Sequence, residues 1–133
     1  MNPSTALLII DIQNDYFPEG ANPLKNSNEA VIQAKKVLEA FRSNKLTVIH
    51  VRHLSVRSGS AFFLPGTNGA EIHSLLEPNE GEEIIEKNFP NSFRNTGLQA
   101  YLQEKGIINL VICGMMTHMC VDATVRAAKN FGY

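Results

Sequence analysis

Leu110-Val111-Ile112-Cys113-Gly114-Met115-Met116-Thr117-His118-Met119-Cys120-Val121-Asp122-Ala123-Thr124-Val125-Arg126-Ala127-Ala128 carries more structural information than any other stretch of this chain. Leu110 to Cys113 is a short, β-branched apolar run of the kind buried in parallel sheets. Gly114 breaks the run, and Thr117 is suited to cap a helix beginning near His118. Cys120 is thereby expected in the first helical turn, at the carboxyl edge of a sheet, where α/β proteins bind ligands. A thiol in that position faces the positive end of the helix dipole, which predicts a pKa below the free value of about 8.5. The competing reading is a buried cysteine with a packing role only.

Working outward, Ala6 to Ile10 reads as a buried strand, followed by a loop from Asp11 to Pro23 rich in Asn, Pro and Gly. Asn26 with Glu29 forms a candidate capping box for a helix that places Val31, Ala34, Leu38 and Phe41 on one face. Thr47 to Val51 is a second strand, and Glu83 to Glu86 a weaker third. Thr96 is placed to cap a helix from Gly97 to Lys105, and Ile108 to Cys113 forms the fourth strand, apolar on both faces and so expected inside the sheet. Strands alternating with helices make an α/β chain with a mainly parallel sheet. Between them, Leu54 to Asn79 is long for a connection, with a short helix expected from Ala70 to Leu76. Its Phe62-Phe63 pair, beside Pro65-Gly66, suggests a lid or pocket wall.

Three segments together resemble the isochorismatase-like cysteine hydrolase superfamily, which includes nicotinamidases and carbamoylsarcosine amidases. They are Leu7 to Phe17 around Asp11, Glu86 to Phe93 around Lys87, and the Cys120 segment with its Thr124-Val125-Arg126-Ala127-Ala128 continuation. The resemblance runs from Ala6 to Tyr133 and implies a Rossmann-like three-layer sandwich. It also implies an Asp11-Lys87-Cys120 triad, an oxyanion site at the amides of Met116 and Cys120, and a cis peptide before Met116. Taken singly, Asp11 reads as a turn former and Lys87 as a solvated charge; each, however, follows a different strand, so parallel strands bring all three to one edge. Thiol-dependent amide hydrolysis needs a nucleophilic sulfur, a proton acceptor and oxyanion donors, and the set supplies them.

The four histidines raise the question of zinc, since the nicotinamidase branch uses a metal. Its ligand positions match Val51-Arg52-His53 and Phe62 here, leaving one imidazole, and a single imidazole does not hold zinc. No metal and no cofactor are therefore expected. His50 reads as a core histidine, whereas His53, His118 and Arg52 are candidates to orient polar groups of a substrate. Phe17, Phe62, Phe63, Phe89 and Phe93 are candidates for apolar walls around it.

The chain has 133 residues, 44% hydrophobic and 19% charged, which suits one globular domain spanning 1–133. A net charge of -1 and scattered basic residues argue against nucleic acid or an anionic membrane as partner. No apolar run approaches the roughly 20 residues of a membrane span, and no leader-like segment precedes the first strand, so a cytoplasmic location with two reduced thiols is expected. Members of the superfamily continue past the position of Tyr133 with a further strand, so the C-terminal strands look missing and the fourth strand is expected to be covered by such residues or by a subunit contact in a homo-oligomer. The functional expectation is a cysteine-dependent hydrolase of a small amide-type substrate. A catalytically silent ligand-binding or assembly module on the same fold is the alternative, and a redox protein built on Cys113 and Cys120 a third reading.

Overall fold

The computed structural model describes residues 2–133. Its strands are β1 (Thr5–Ile10), β2 (Thr47–His53), β3 (Glu83–Lys87) and β4 (Asn109–Gly114), all parallel, in the order β3-β2-β1-β4. Helix α1 (Ser27–Ser43) connects β1 to β2, α2 (Leu98–Glu104) connects β3 to β4, and α3 (Asp122–Asn130) follows β4. The result is a mixed α/β fold, a four-stranded parallel sheet flanked by helices.

Side chains alternate across β1, and this alternation divides the core. Leu7 and Ile9, with Val48 of β2, pack beneath Val31, Ala34, Leu38 and Phe41 of α1. Ala6, Leu8 and Ile10, with Ile49 and Val51, face Leu98 and Leu102 of α2 and Ala128 of α3. Each Val, Leu, Ile or Phe side chain among these contributes about 1.5–3 kcal/mol by leaving water, which fixes the register because a one-residue slip would reverse both faces.

Several expected details differ. The first turn of α1 is not a capping box: Asn26 adopts a left-handed conformation (φ 59°) and its side chain makes no capping bond, so burial of the apolar face carries the helix start. Residues 70–76 form no helix; two short 3-10 turns, Asn68–Ala70 and Ser74–Leu76, lie there instead. Between them the Gln13–Ile72 bridge and the His73 N–H to Ile12 carbonyl bond divert the backbone into pairing with the segment after β1.

β4 is not interior. Among the described residues it pairs with β1 alone, Val111 is 39% exposed, and Ile108 just before it is 61% exposed. An apolar run reports burial in general but not strand order, and here β1 and β2 take the two central places.

Candidate active site

Asp11, Lys87 and Cys120 follow or end β1, β3 and β4, and the sheet brings their side chains together. Lys87 Nζ lies 2.9 Å from Asp11 Oδ2, 3.3 Å from Cys120 Sγ and 2.8 Å from His53 Nδ1. An ammonium has three N–H donors, so each of these acceptors takes one. Asp11 and Lys87 are fully buried and Cys120 almost so. One carboxylate oxygen of Asp11, the His53 ring and Cys120 Sγ lie within 4.8 Å of one another.

Local backbone places each group. Asp11 leaves β1 in a left-handed conformation (φ 55°), and its N–H still bonds the Val51 carbonyl of β2 at 3.0 Å. After β4, Gly114 sits so close to β1 that a Cβ there would be 2.2 Å from the Ile10 carbonyl oxygen; no other residue fits. The Met115–Met116 peptide is cis, as the resemblance implied. The expected Thr117-capped α-helix is instead a wider π-type turn, Thr117–Val121, with Met116 as its cap, before α3 begins at Asp122. Met119 and Val121 donate to the Met116 carbonyl at 3.1 and 3.3 Å, and the extra residue in the turn swings Cys120 inward while His118 stays outside. The Met116 N–H has no hydrogen-bond partner among the described residues.

The segment after Lys87 is tied to α3. Ser92 and Thr124 are both fully buried, with hydroxyls 2.8 Å apart and the Ser92 N–H donating to Thr124 Oγ1 at 3.0 Å. These contacts join the strand that carries Lys87 to the helix that follows Cys120.

The electrostatics reverse one expectation. The Cys120 thiol is not lowered but pushed up to about 12, first by burial and then by the negative charge of Asp11, with Lys87 opposing. Burial also raises Asp11, against the pull of Lys87. Burial and a neighbouring carboxylate outweigh what the start of the helix contributes, and Cys120 lies in the turn before α3 rather than in its first turn. At rest the sulfur carries its proton, and Asp11, whose Oδ1 is buried without a nitrogen or oxygen donor, lies beside it. Burial and Lys87 lower His53 to about 4, so its ring is neutral. Because an ammonium can only donate, Nδ1 is the acceptor and the ring proton sits on Nε2.

Asp11, His53 and Cys120 are spaced as metal ligands could be. The Lys87 ammonium, however, bonds all three, occupying the place from which a cation would bind them. A divalent ion there would meet a buried positive charge, so this donor set does not fit a metal.

A cavity of about 530 Å³ opens above the sulfur, walled by Tyr16, Phe62, Phe63, Phe89 and Met119 with His53 and Met116. Phe63 is held in a left-handed conformation (φ 56°): its N–H donates to Asp15 Oδ2 at 2.7 Å and its carbonyl accepts from Ser55 N–H at 2.8 Å. Gln13, fully buried, accepts from the His53 N–H and donates to the carbonyls of His53 and Ala70, each at 2.8 Å. Asp15 and Gln13 thus pin the wall and the histidine to the end of β1. A second, larger groove is lined by Phe17, Arg52, Glu71 and His73 and does not include Cys120.

Three expected contacts are absent from the cavity. Phe17 turns away at the end of the Asn14–Tyr16 turn and packs on His73, ring centroids 4.2 Å apart; Tyr16 faces the site instead. Phe93 packs against Phe131 and Tyr133 in the core behind it. His118 is exposed on the outside of the π-type turn. Arg52, too, is engaged elsewhere, by Glu71 and Glu86. Tyr16, Arg57, Asn88, Arg94 and Met119 were missed. The Asn14-Asp15-Tyr16-Phe17 run offered Tyr16 and Phe17 equally, and only the turn decides between them.

The chain is similar throughout its length to known proteins. It is 52% identical to the isochorismatase family protein YddQ of Bacillus subtilis over 98% of its residues and 72% of YddQ. A solved structure from Oleispira antarctica superposes with a TM-score of 0.94 at 46% identity, covering 100% of this chain and 72% of that one. N-carbamoylsarcosine amidase from Thermoplasma acidophilum superposes with a TM-score of 0.91 at 26% identity, covering 97% and 78%. Residues 5–133 match the isochorismatase domain, and the chain belongs to the isochorismatase family of hydrolases.

Proposed function

We propose that the protein hydrolyses a C–N bond of a small amide-type substrate through a Cys120 thioester. The observation that carries this reading is the buried Lys87 contact to both Asp11 and Cys120 beneath an aromatic cavity. As Sγ forms its bond to the carbonyl carbon, Asp11 takes the thiol proton and the carbonyl π pair moves to oxygen. The free Met116 N–H and the Cys120 amide stabilise that oxyanion. Collapse expels the amine, which takes the proton from Asp11. Water then attacks the thioester, giving its proton to Asp11, and Cys120 leaves as the thiol with that proton. Lys87 balances the charge of Asp11 throughout, and His53 Nε2–H is a donor for a substrate acceptor. An amidase of the same fold, at 26% identity, supports the choice of bond.

The test is an ammonia-release screen over small carboxamides and carbamoyl compounds, run beside Cys120→Ala. Turnover in the native protein that falls by about 10³-fold or more in the variant is expected, as for loss of a nucleophile. Equal release from both proteins would overturn the reading, as would substrate binding without ammonia from any compound.

A further inference from the structure

We propose that the substrate carries a carboxylate at the end remote from the scissile bond, and that Arg57 and Arg94 bind it at the rim of the cavity. The proposal rests on the hydrolase reading above and names the class of molecule it acts on. The chain has five arginines. Three are ion-paired: Arg42 with Glu82, Arg52 with Glu71 and Glu86, Arg126 with Asp122. The two that make no ion pair among the described residues, Arg57 and Arg94, both line the cavity above Cys120.

No aspartate or glutamate lines that cavity. Two acids lie just outside it and are both engaged: Asp11 beneath it faces Lys87, and Asp15 behind the wall accepts from the Phe63 and Ala21 N–H groups. Two uncompensated positive charges over a site with no acidic wall favour an anionic ligand and disfavour a cationic one. Arg94 is also oriented. Its guanidinium lies 3.7 Å from the centroid of the Phe89 ring, a cation–π contact that occupies a face of the group. The N–H donors lie along the edges of a guanidinium, in its plane, where a carboxylate accepts two of them side by side. Phe89 therefore braces Arg94 without using its donors. A cavity of about 530 Å³ holds only a small molecule, so one end of the substrate can meet Cys120 while the other meets the rim.

Two alkylating agents of similar size test this without requiring turnover. Iodoacetate and iodoacetamide both modify Cys120, one bearing the carboxylate and the other a neutral amide. The ratio of their rates, measured by peptide mapping, is compared with the same ratio for free cysteine, in the native protein and in an Arg57→Gln, Arg94→Gln double variant checked for folding by circular dichroism. The ratio is expected to exceed that of free cysteine by about tenfold and to lose that excess in the double variant. A native ratio at or below that of free cysteine, or one the double variant leaves unchanged, overturns the proposal. A second arm compares ammonia release from the monoamide of a short dicarboxylic acid with release from its methyl ester. Equal turnover of acid and ester overturns the proposal while leaving the hydrolase reading intact. No ammonia from any amide, with the raised alkylation ratio, sinks the hydrolase reading and leaves carboxylate recognition standing.

Discussion

Two clusters in this protein, one half-buried and one fully buried, use nearly the same residue types to opposite ends. In one, Glu82 accepts from Arg42 Nε at 2.7 Å and Nη2 at 2.8 Å, from the Asn79 N–H at 2.9 Å, and lies 2.8 Å from His50 Nε2. Against the cost of burial, these contacts hold Glu82 down at about 2. In the other, Asp11 has Lys87 on Oδ2, no nitrogen or oxygen donor on Oδ1 and the Cys120 thiol beside it, and burial raises it. A saturated carboxylate has no capacity left for chemistry and serves as a joint between α1, β2 and the start of β3. Under the proposed mechanism, the open oxygen of Asp11 beside a protonated thiol is the one that receives its proton. The open acceptor, rather than the presence of an acid–base–histidine set, separates the site from the joint.

The largest expected effect sharpens that contrast. Asp11→Asn should lower turnover by about 10²–10⁴-fold, the usual loss for a general base. It should simultaneously speed alkylation of Cys120 by iodoacetamide, because the negative charge that raises the thiol is gone. Glu82→Gln should do the reverse, leaving turnover per folded molecule intact while lowering stability by about 2 kcal/mol through its lost charge-assisted bonds. Kinetics and urea denaturation on both variants decide the matter. Slower alkylation in Asp11→Asn would mean that the carboxylate activates the resting thiol rather than suppressing it.

Much of this was legible in the sequence, and the failures are instructive. Asp11, Lys87 and Cys120 were visible because each ends or follows a strand, and parallel strands deliver such residues to one edge. His53, Phe62, Phe63 and Phe89 were recoverable as cavity residues because their loops leave that same edge. The thiol's direction of shift was misread because placement near a helix start was legible, whereas the depth of burial beside Asp11 was not. Phe17 and Tyr16 differ by one position in a turn, and a one-residue rotation decides which ring enters the cavity. Arg57 and Arg94 carried no signal of their own. They became informative only when the other three arginines were seen to be paired. The free flank of β4 was foreseen from the further strands that the resemblance implies, whereas the order of the four strands was not, since four apolar strands look alike.

A middle-sized effect concerns pH. Glu82 sits at about 2 when folded against an ordinary 4.5, so its stabilisation is complete above about 4.5 and is lost as pH falls from there towards 2. Cys120 runs the other way: at about 12 against an ordinary 9, it remains a thiol through neutrality. Its alkylation rate should therefore keep rising with pH through 9 rather than levelling off near 7. A plateau below pH 7 would show a preformed thiolate, and the distinction between joint and site would then have to be redrawn. Acid denaturation should weaken in Glu82→Gln, since that variant has no carboxylate at position 82 to protonate.

The smallest effect tests the geometry of the turn that carries Cys120. His53 and His118 were equal candidates on sequence, yet only His53 reaches Lys87, whereas His118 is exposed on the outside of the π-type turn. His118→Ala should change kcat/KM by less than about twofold, as expected of a surface side chain outside the cavity. His53→Ala removes the third acceptor of a buried ammonium and should cost considerably more, about tenfold or above. Rescue by His53→Asn would follow if its side-chain oxygen accepts from Lys87 in place of Nδ1. Equal losses at the two histidines would mean that the turn brings His118 inward when substrate binds. In that event the outer side of this turn would move inward during the reaction, and His118 would have to be counted with Met119 among the residues that close over the substrate.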